Sequence, residues 1–371
     1  NVNRSGHDYV SWNWLAGGTA PAITYSVKVV SDSGNKYRFD DFGTSAVTLD
    51  LQEGGTYTFD QSDSSNSGHP LRFSTTSDGS HGGGSEYTTG VTTTGTPGSA
   101  GAKTVITVGS GVATLYYYCT QHSGMGGQAN TNSTHGSSNF SGSIQSTVSA
   151  NITAGFSLVS YTGNQTAGAT IGHGLGVAPS IMIVKSRNSA NPWTVYHKSI
   201  GETKAIYLNL TNGTYTATNI WNDTAPTSSV FSVGSNDDST NKSSEPHIAY
   251  CFADTGNKFF KAGSYTGNGS SDGSYIHLGF KAAYIMIKGT GSGTNWFIQD
   301  NKRNPHNIVN KYFNADSNAA DQSADMFDIT ANGIKQRNTF ANLNGSGSTY
   351  IYMAFAENPF VTSTGIPTTA R

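Results

Sequence analysis

Charge is scarce in this chain. Its 371 residues include 21 Lys and Arg against 23 Asp and Glu, 12% in all, for a formal net charge of −2. No basic stripe is present, which excludes electrostatic capture of nucleic acid or of an anionic membrane. No run of eighteen apolar residues occurs, so no helix is expected to span a bilayer. Two cysteines exclude a disulfide-stapled scaffold, and Cys119 in a Gly-rich loop and Cys251 in an apolar strand are not expected to pair. Sustained 3.6-residue apolar periodicity is missing, so helices should be few and short; the best candidate runs from Ala315 to Met326. Serine never falls in a Gly-x-Ser-x-Gly elbow between strand and helix, and the scattered acids nominate no glycosidase pair, so an enzyme is not expected. The chain opens on Asn1 with no signal peptide, which reads as a fragment of a longer polypeptide.

What is present is β punctuation. Gly contributes 45 residues and aromatics 11%, and Thr, Tyr, Val, Ile and Phe recur between Gly, Asn and Ser. A disordered chain would lack the aromatics. Short strands joined by turns follow, and the length calls for two to four domains: the chain is all-β and multidomain.

One segment carries metal chemistry. Tyr116-Tyr-Tyr-Cys119-Thr-Gln-His122-Ser-Gly-Met125-Gly-Gly gathers a thiolate, an imidazole and a thioether at the end of an alternating apolar run. That donor set suits copper, and a blue-copper site needs one more histidine. His69, in Asn66-Ser-Gly-His69-Pro-Leu-Arg-Phe73 after the strand pattern Gly55-Thr-Tyr57-Thr-Phe59, is the candidate. His81, in Gly79-Ser-His81-Gly, is a loop residue with nothing to fix its direction.

On these residues, about 21–130 resembles a cupredoxin, the Greek-key sandwich of plastocyanins and oxidase copper domains. The resemblance implies copper as cofactor and His69, Cys119, His122 and Met125 as its ligands. The three-residue step from His122 to Met125 is shorter than the plastocyanin step and similar to amicyanin-like and oxidase-type loops.

A repeat organises the rest. Phe156-Ser-Leu-Val-Ser160-Tyr-Thr-Gly-Asn164 returns as Phe260-Lys-Ala-Gly-Ser264-Tyr-Thr-Gly-Asn268, 104 positions on. At that spacing His173 answers His277 and Ile181-Met-Ile183 answers Ile285-Met-Ile287. Trp193 answers Trp296 with one residue lost, and Ile248 to Ala253 answers Ile351 to Ala356. Two tandem β-sandwich or jelly-roll modules are expected at 149–255 and 256–362, with a tail at 363–371. Asp8 to Ala16 reads like the closing strands of those modules, so 1–20 is expected to hold the closing strand of a truncated module and a linker. The sandwich at 21–130 is then an insertion, with a linker at 131–148.

Residues 145–371, with GFSLVSYTGN, GHGLGVAPSIMIVK, WTVYHK and YIYMAFAENPF, resemble the Gly/Ser/Thr-rich virion proteins of marine tailed bacteriophages, which carry lectin-like β-sandwich repeats. The resemblance implies a virion or extracellular location, a fibre, spike or decoration, self-association with a trimer as one form, other virion proteins as partners, and a host-surface glycan as ligand.

Other residues have plainer readings. His173 and His277 lack a nearby second ligand, and Gly172-His-Gly-Leu-Gly176 has no helix after it to bind phosphate. Trp193 with Tyr196, and Trp296 with Phe297, fit a sandwich core better than a sugar platform. Asp63 and Asp237-Asp238 fit solvated turns better than calcium sites, and the Asn-x-Ser/Thr sites at Asn132 and Asn209 carry little meaning. Two functions follow: a non-enzymatic structural or adhesive virion protein, or a copper protein for electron transfer or copper sequestration anchored by β repeats.

Overall fold

The computed structural model describes residues 9–14, 20–131, 136–235, 239–256 and 258–357. The chain is 43% strand and 3% helical, in several sheets, so the all-β, multidomain reading holds. The stretch expected to be most helical instead runs into the strand Gln322–Thr330, paired with Val309–Asn314 and Gly333–Gln336. Met326, Phe327 and Ile329 pack into a core there, and that burial outweighs the helical leaning of neighbouring Ala and Asp residues. Among the described residues the one α-helix is the single turn Ala341–Asn344.

The first body is a two-layer sandwich. One sheet orders Asn35–Phe39, Ala22–Ser31, Thr56–Asp60, Lys103–Thr107 and Val91–Thr94; the other orders Leu49–Asp50, Gly127–Asn130, Leu115–Cys119 and Leu71–Ser74. Alternate residues of each strand point inward. Tyr25, Phe39, Tyr57 and Phe59 from the first sheet therefore meet Leu71, Phe73, Leu115 and Tyr117 from the second in one buried cluster.

The tandem copies have the same sheet order from their opening strands inward. In the first, Phe156–Thr162, Pro246–Phe252, Ile181–Ser186, Thr194–His197 and Lys204–Tyr207 lie side by side. In the second, the sequence is Phe260–Thr266, Thr349–Ala356, Ala282–Gly289, Trp296–Asp300 and Val309–Asn314. The recurring Ser-Tyr-Thr-Gly-Asn motif has one structural job in both copies. The tyrosine hydroxyl donates to Thr240 O (2.6 Å) or Leu343 O (2.7 Å), and the motif Asn N–H donates to the buried side chain of Asn241 (2.9 Å) or Asn344 (3.0 Å). Gly163 and Gly267 lie so close to those segments that a Cβ would fall 2.3 Å from Lys242 O or 2.4 Å from Gly345 O.

Two equivalences shift. Pairing to the closing strands makes Ile181 equivalent to Tyr284 and Ile183 to Met286, so the missing residue falls ahead of Ile181 rather than between Ile183 and Trp193. A one-residue slip moves every side chain to the other face, and burial agrees with the shifted register: Met182 and Val184 line their copy's inner core, as Ile285 and Ile287 do. Likewise His173 is not equivalent to exposed His277. His173 N donates to Ser229 O (3.2 Å) as Leu278 N does to Asn332 O (2.8 Å), and both His173 and Leu278 are buried.

The copies are not separate beads. The outer faces of their main sheets, Phe156, Ile183 and Phe252 from one and Phe260, Met286 and Met353 from the other, form a single apolar cluster. Phe252 and its counterpart Phe355 touch, with ring centroids 5.6 Å apart. The boundary expected at 255/256 therefore runs through a shared core. Trp12 and Trp14 pack against this layer on Tyr284 (5.4 and 5.8 Å), and Tyr9–Trp14 forms no strand, so the described part of the amino-terminal segment is a wedge rather than a closing strand. Residues 15–19 and the expected tail 363–371 lie outside the described residues.

The expected linker is also structured. Ser137–Asn139 and Ser146–Asn151 extend the first copy's sheet beyond Phe156–Thr162, and the same segment bonds to the sandwich. Tyr25 Oη donates to Ser138 O (2.8 Å), Asp50 N to Ser138 Oγ (2.8 Å) and Gln145 Nε2 to Thr48 O (2.7 Å).

His197 joins the copies. Ser199 N–H donates to its Nδ1 (3.1 Å), which fixes the neutral tautomer whose Nε2–H donates to Tyr352 O (3.1 Å). Burial lowers its pKa to about 4. Its folded pKa lies below the unfolded value, so its contribution is complete above pH of about 6.5 and is lost as pH falls toward about 4, a loss of about 3 kcal/mol. Urea unfolding across that range should show this slope, and His197→Gln should flatten it.

Candidate metal centre

Strand pairing explains how residues fifty positions apart meet. Leu71 pairs with Cys119, so the loop that ends in His69 and the loop that begins at Thr120 leave the same end of the sandwich. His69 is held by its backbone. Its N–H donates to Asn66 O (2.8 Å), and its carbonyl accepts from Tyr37 Oη (2.9 Å) and Gln61 Nε2 (2.8 Å). Asn66, fully buried, donates to Val27 O (2.7 Å), and Asp63 caps the preceding 3-10 turn through Ser65 N–H (2.9 Å). Asp63, expected as a solvated turn acid, is thus a cap.

The second loop is tied down as firmly. Thr120 N donates to Pro70 O (3.2 Å), Gly124 N to Asp78 Oδ1 (2.9 Å), and Lys36 Nζ to Gly124 O. Met125 is buried in the sandwich core, and its carbonyl accepts from Tyr37 N (3.0 Å). His81 turns inward: Nε2 lies 3.0 Å from Cys119 O, so it braces the strand end.

These constraints bring His69, Cys119 and His122 together. Cys119 Sγ lies 3.9 Å from His69 Nδ1 and 3.8 Å from His122 Nδ1, and the imidazole centroids are 4.6 Å apart. One ion bonded to sulfur at about 2.3 Å and nitrogen at about 2.0 Å in a trigonal plane would hold S and N about 3.7 Å apart, close to the separations here, so the donors fit a single metal. Among the described residues this is the one His/Cys/Asp/Glu group of that compactness, its atoms all within 4.8 Å of one another. Cys119 is buried, His69 partly buried and His122 exposed, so one imidazole edge faces solvent. Burial, and then His122, lower the His69 pKa and favour the neutral ligand form. Burial and then Cys119 push the Tyr37 phenol up, which keeps it a donor.

Sequence reasoning missed Tyr37, Gln61 and Asp78, whose partners lie far along the chain and leave no local pattern. Elsewhere, Tyr196, Trp296 and Phe297 are core residues rather than a platform. His173 is a buried, hydrogen-bonded histidine, its Nδ1 accepting from Leu175 N (3.2 Å). Asp237, Asp238 and Asn132 lie outside the described residues. No described helix is long and apolar enough to cross a membrane.

Among known proteins, the profile of a family described as "Domain of unknown function (DUF7483)" matches residues 129–359, more than half of the chain. No curated protein and no solved structure matches.

A Cβ at Gly126 would fall 1.7 Å from Tyr117 O. Gly126→Ala should therefore displace the loop that carries Met125 and destabilise the sandwich by about 2 kcal/mol or more, read from chemical denaturation.

Proposed function

Since the chain belongs to the DUF7483 family, whose description names no activity, we propose its function from the geometry. Residues 21–130 are a cupredoxin-like module that binds one copper ion through His69, Cys119, His122 and Met125, carried on a structural β scaffold. The observation that supports this most is the pair of Sγ to Nδ1 distances, 3.9 and 3.8 Å, made by side chains that two independently braced loops bring together. A His2Cys set with a weak thioether is the donor set of electron-transfer copper. Four protein donors leave no open position for substrate, which favours electron transfer or copper retention over enzymatic turnover. The exposed edge of His122 gives a redox partner a short route to the metal.

Cupric ion added to the reduced protein should produce an intense visible thiolate-to-copper band at one equivalent, and Cys119→Ser should abolish it. Met125→Leu should keep the colour and change the reduction potential. Protein that stays colourless with excess copper defeats this reading.

The scaffold has its own reading. We propose a structural or adhesive role in a virion, as a fibre, spike or decoration, with copies of itself and other virion proteins as partners and a host glycan as ligand. The shared core of the tandem copies favours it, because such packing makes one rigid unit rather than two jointed modules. Antibody against this chain should label intact particles at a fixed position; unlabelled particles defeat it.

A further inference from the structure

The face-to-face packing of the tandem sheets is incomplete near the Trp12–Trp14 wedge. A cavity of about 340 Å3 opens there, its floor made by Phe156, Ile183, Phe252, Met286 and Met353. Trp14 and Trp193 stand at its partly exposed rim. The volume is roughly twice that of an apolar cavity known to take a benzene ring, and an apolar lining of this kind accepts apolar guests. Among the described residues no charged side chain lines it, so a carboxylate or ammonium would be buried there without a counter-ion from them. One polar handle is underused. Tyr284, which lines the cavity, gives its hydroxyl to the Met286 thioether at 3.7 Å, a weak acceptor. The ring of Trp12 packs on Tyr284, and its buried Nε1–H has no partner among the described residues.

We propose that this inter-copy cavity is a binding site for a neutral, single-chain apolar molecule bearing one hydrogen-bond acceptor, of the class of medium-chain fatty alcohols and esters. The apolar floor takes the chain, and Tyr284 Oη donates to the acceptor in place of Met286. The two sheets that form the site come from different repeats, so neither copy alone would make it. The inference is independent of the metal centre, which is built wholly from the other sandwich.

The test uses the whole chain. The neutral dye N-phenyl-1-naphthylamine should bind saturably at one site per chain and quench tryptophan emission through Trp14 and Trp193. 1-Decanol should displace it, and decanoate at neutral pH should do so at least about tenfold less well. Tyr284→Phe should weaken 1-decanol about fivefold or more and leave the dye unchanged, as expected for one lost hydrogen bond. Met286→Trp should fill the floor and abolish dye binding; should it fail to fold, Leu208→Trp at the cavity wall serves the same purpose, with an unchanged melting temperature as control. Absence of saturable binding, decanoate competing as well as decanol, or full binding in both filled variants would overturn the proposal.

Discussion

An apolar layer between two sheets is the constraint on which most of this molecule depends. Each tandem copy has a main sheet whose inner face is covered by its own second layer, around Trp221 and Phe231 in the first and Ile334 and Leu343 in the second. The outer face is as apolar as the inner one. Ile181 to Val184 are buried at four successive positions, which happens only when both faces of a strand are covered. Neither copy can meet that demand alone without exposing a large apolar surface to water. Duplication meets it by laying the two outer faces together, and His197 adds a hydrogen bond across the seam whose geometry requires a neutral imidazole. The family match, from 129 to 359, spans both copies and the strands just before them, the unit that this layer makes indivisible.

The cluster of His69, Cys119 and His122 follows a different logic. Cys119 ends a strand, while the two histidines sit on loops, where side-chain freedom would normally scatter them, and the fold removes that freedom through the backbone. Buried Asn66 and Gln61 anchor the His69 loop, Asp78 and Pro70 anchor the other, and Tyr37 bonds to both through His69 O and Met125 O. These braces are hydrogen bonds between protein groups, so they hold the two loops side by side through the fold itself. Such preorganisation lessens the ordering that binding must otherwise impose.

The legible and illegible parts of the sequence divide along physical lines. Strand type was readable because alternation and turn residues are local, and the spacing of Cys119, His122 and Met125 was readable because one loop holds them. The repeat was readable from Ser-Tyr-Thr-Gly-Asn, but its register through Ile181 was not. Ile, Met and Ile resemble one another on either face, and only the ladder to the closing strand fixes which face each takes. Residues 131–148 read as a linker because their Ser, Thr and Asn content suits a coil, yet the strand Phe156–Thr162, paired with Ser146–Asn151, supplies the order from outside. The helical leaning of Ala315 to Met326 failed for the same reason: neighbouring strands, absent from any local window, decide the outcome. Nothing local announces that two sheets will share a core, although a fully buried Ile-Met-Ile-Val strand is the clue that points there.

The segment that ties the sandwich to the tandem body also sets a direction. Its contacts fall on Tyr25, Thr48 and Asp50, and Asp50 pairs with Asn130 beside the start of the strand Leu115–Cys119. Cys119 closes the far end of that strand, about 13 Å along at the rise of extended chain. The histidine-bearing tip consequently lies at the end of that strand opposite Asp50 and its contacts with the joining segment, like a lamp at the end of a bracket. A visiting molecule would reach exposed His122 at that end, away from the contacts that join the sandwich to the tandem copies.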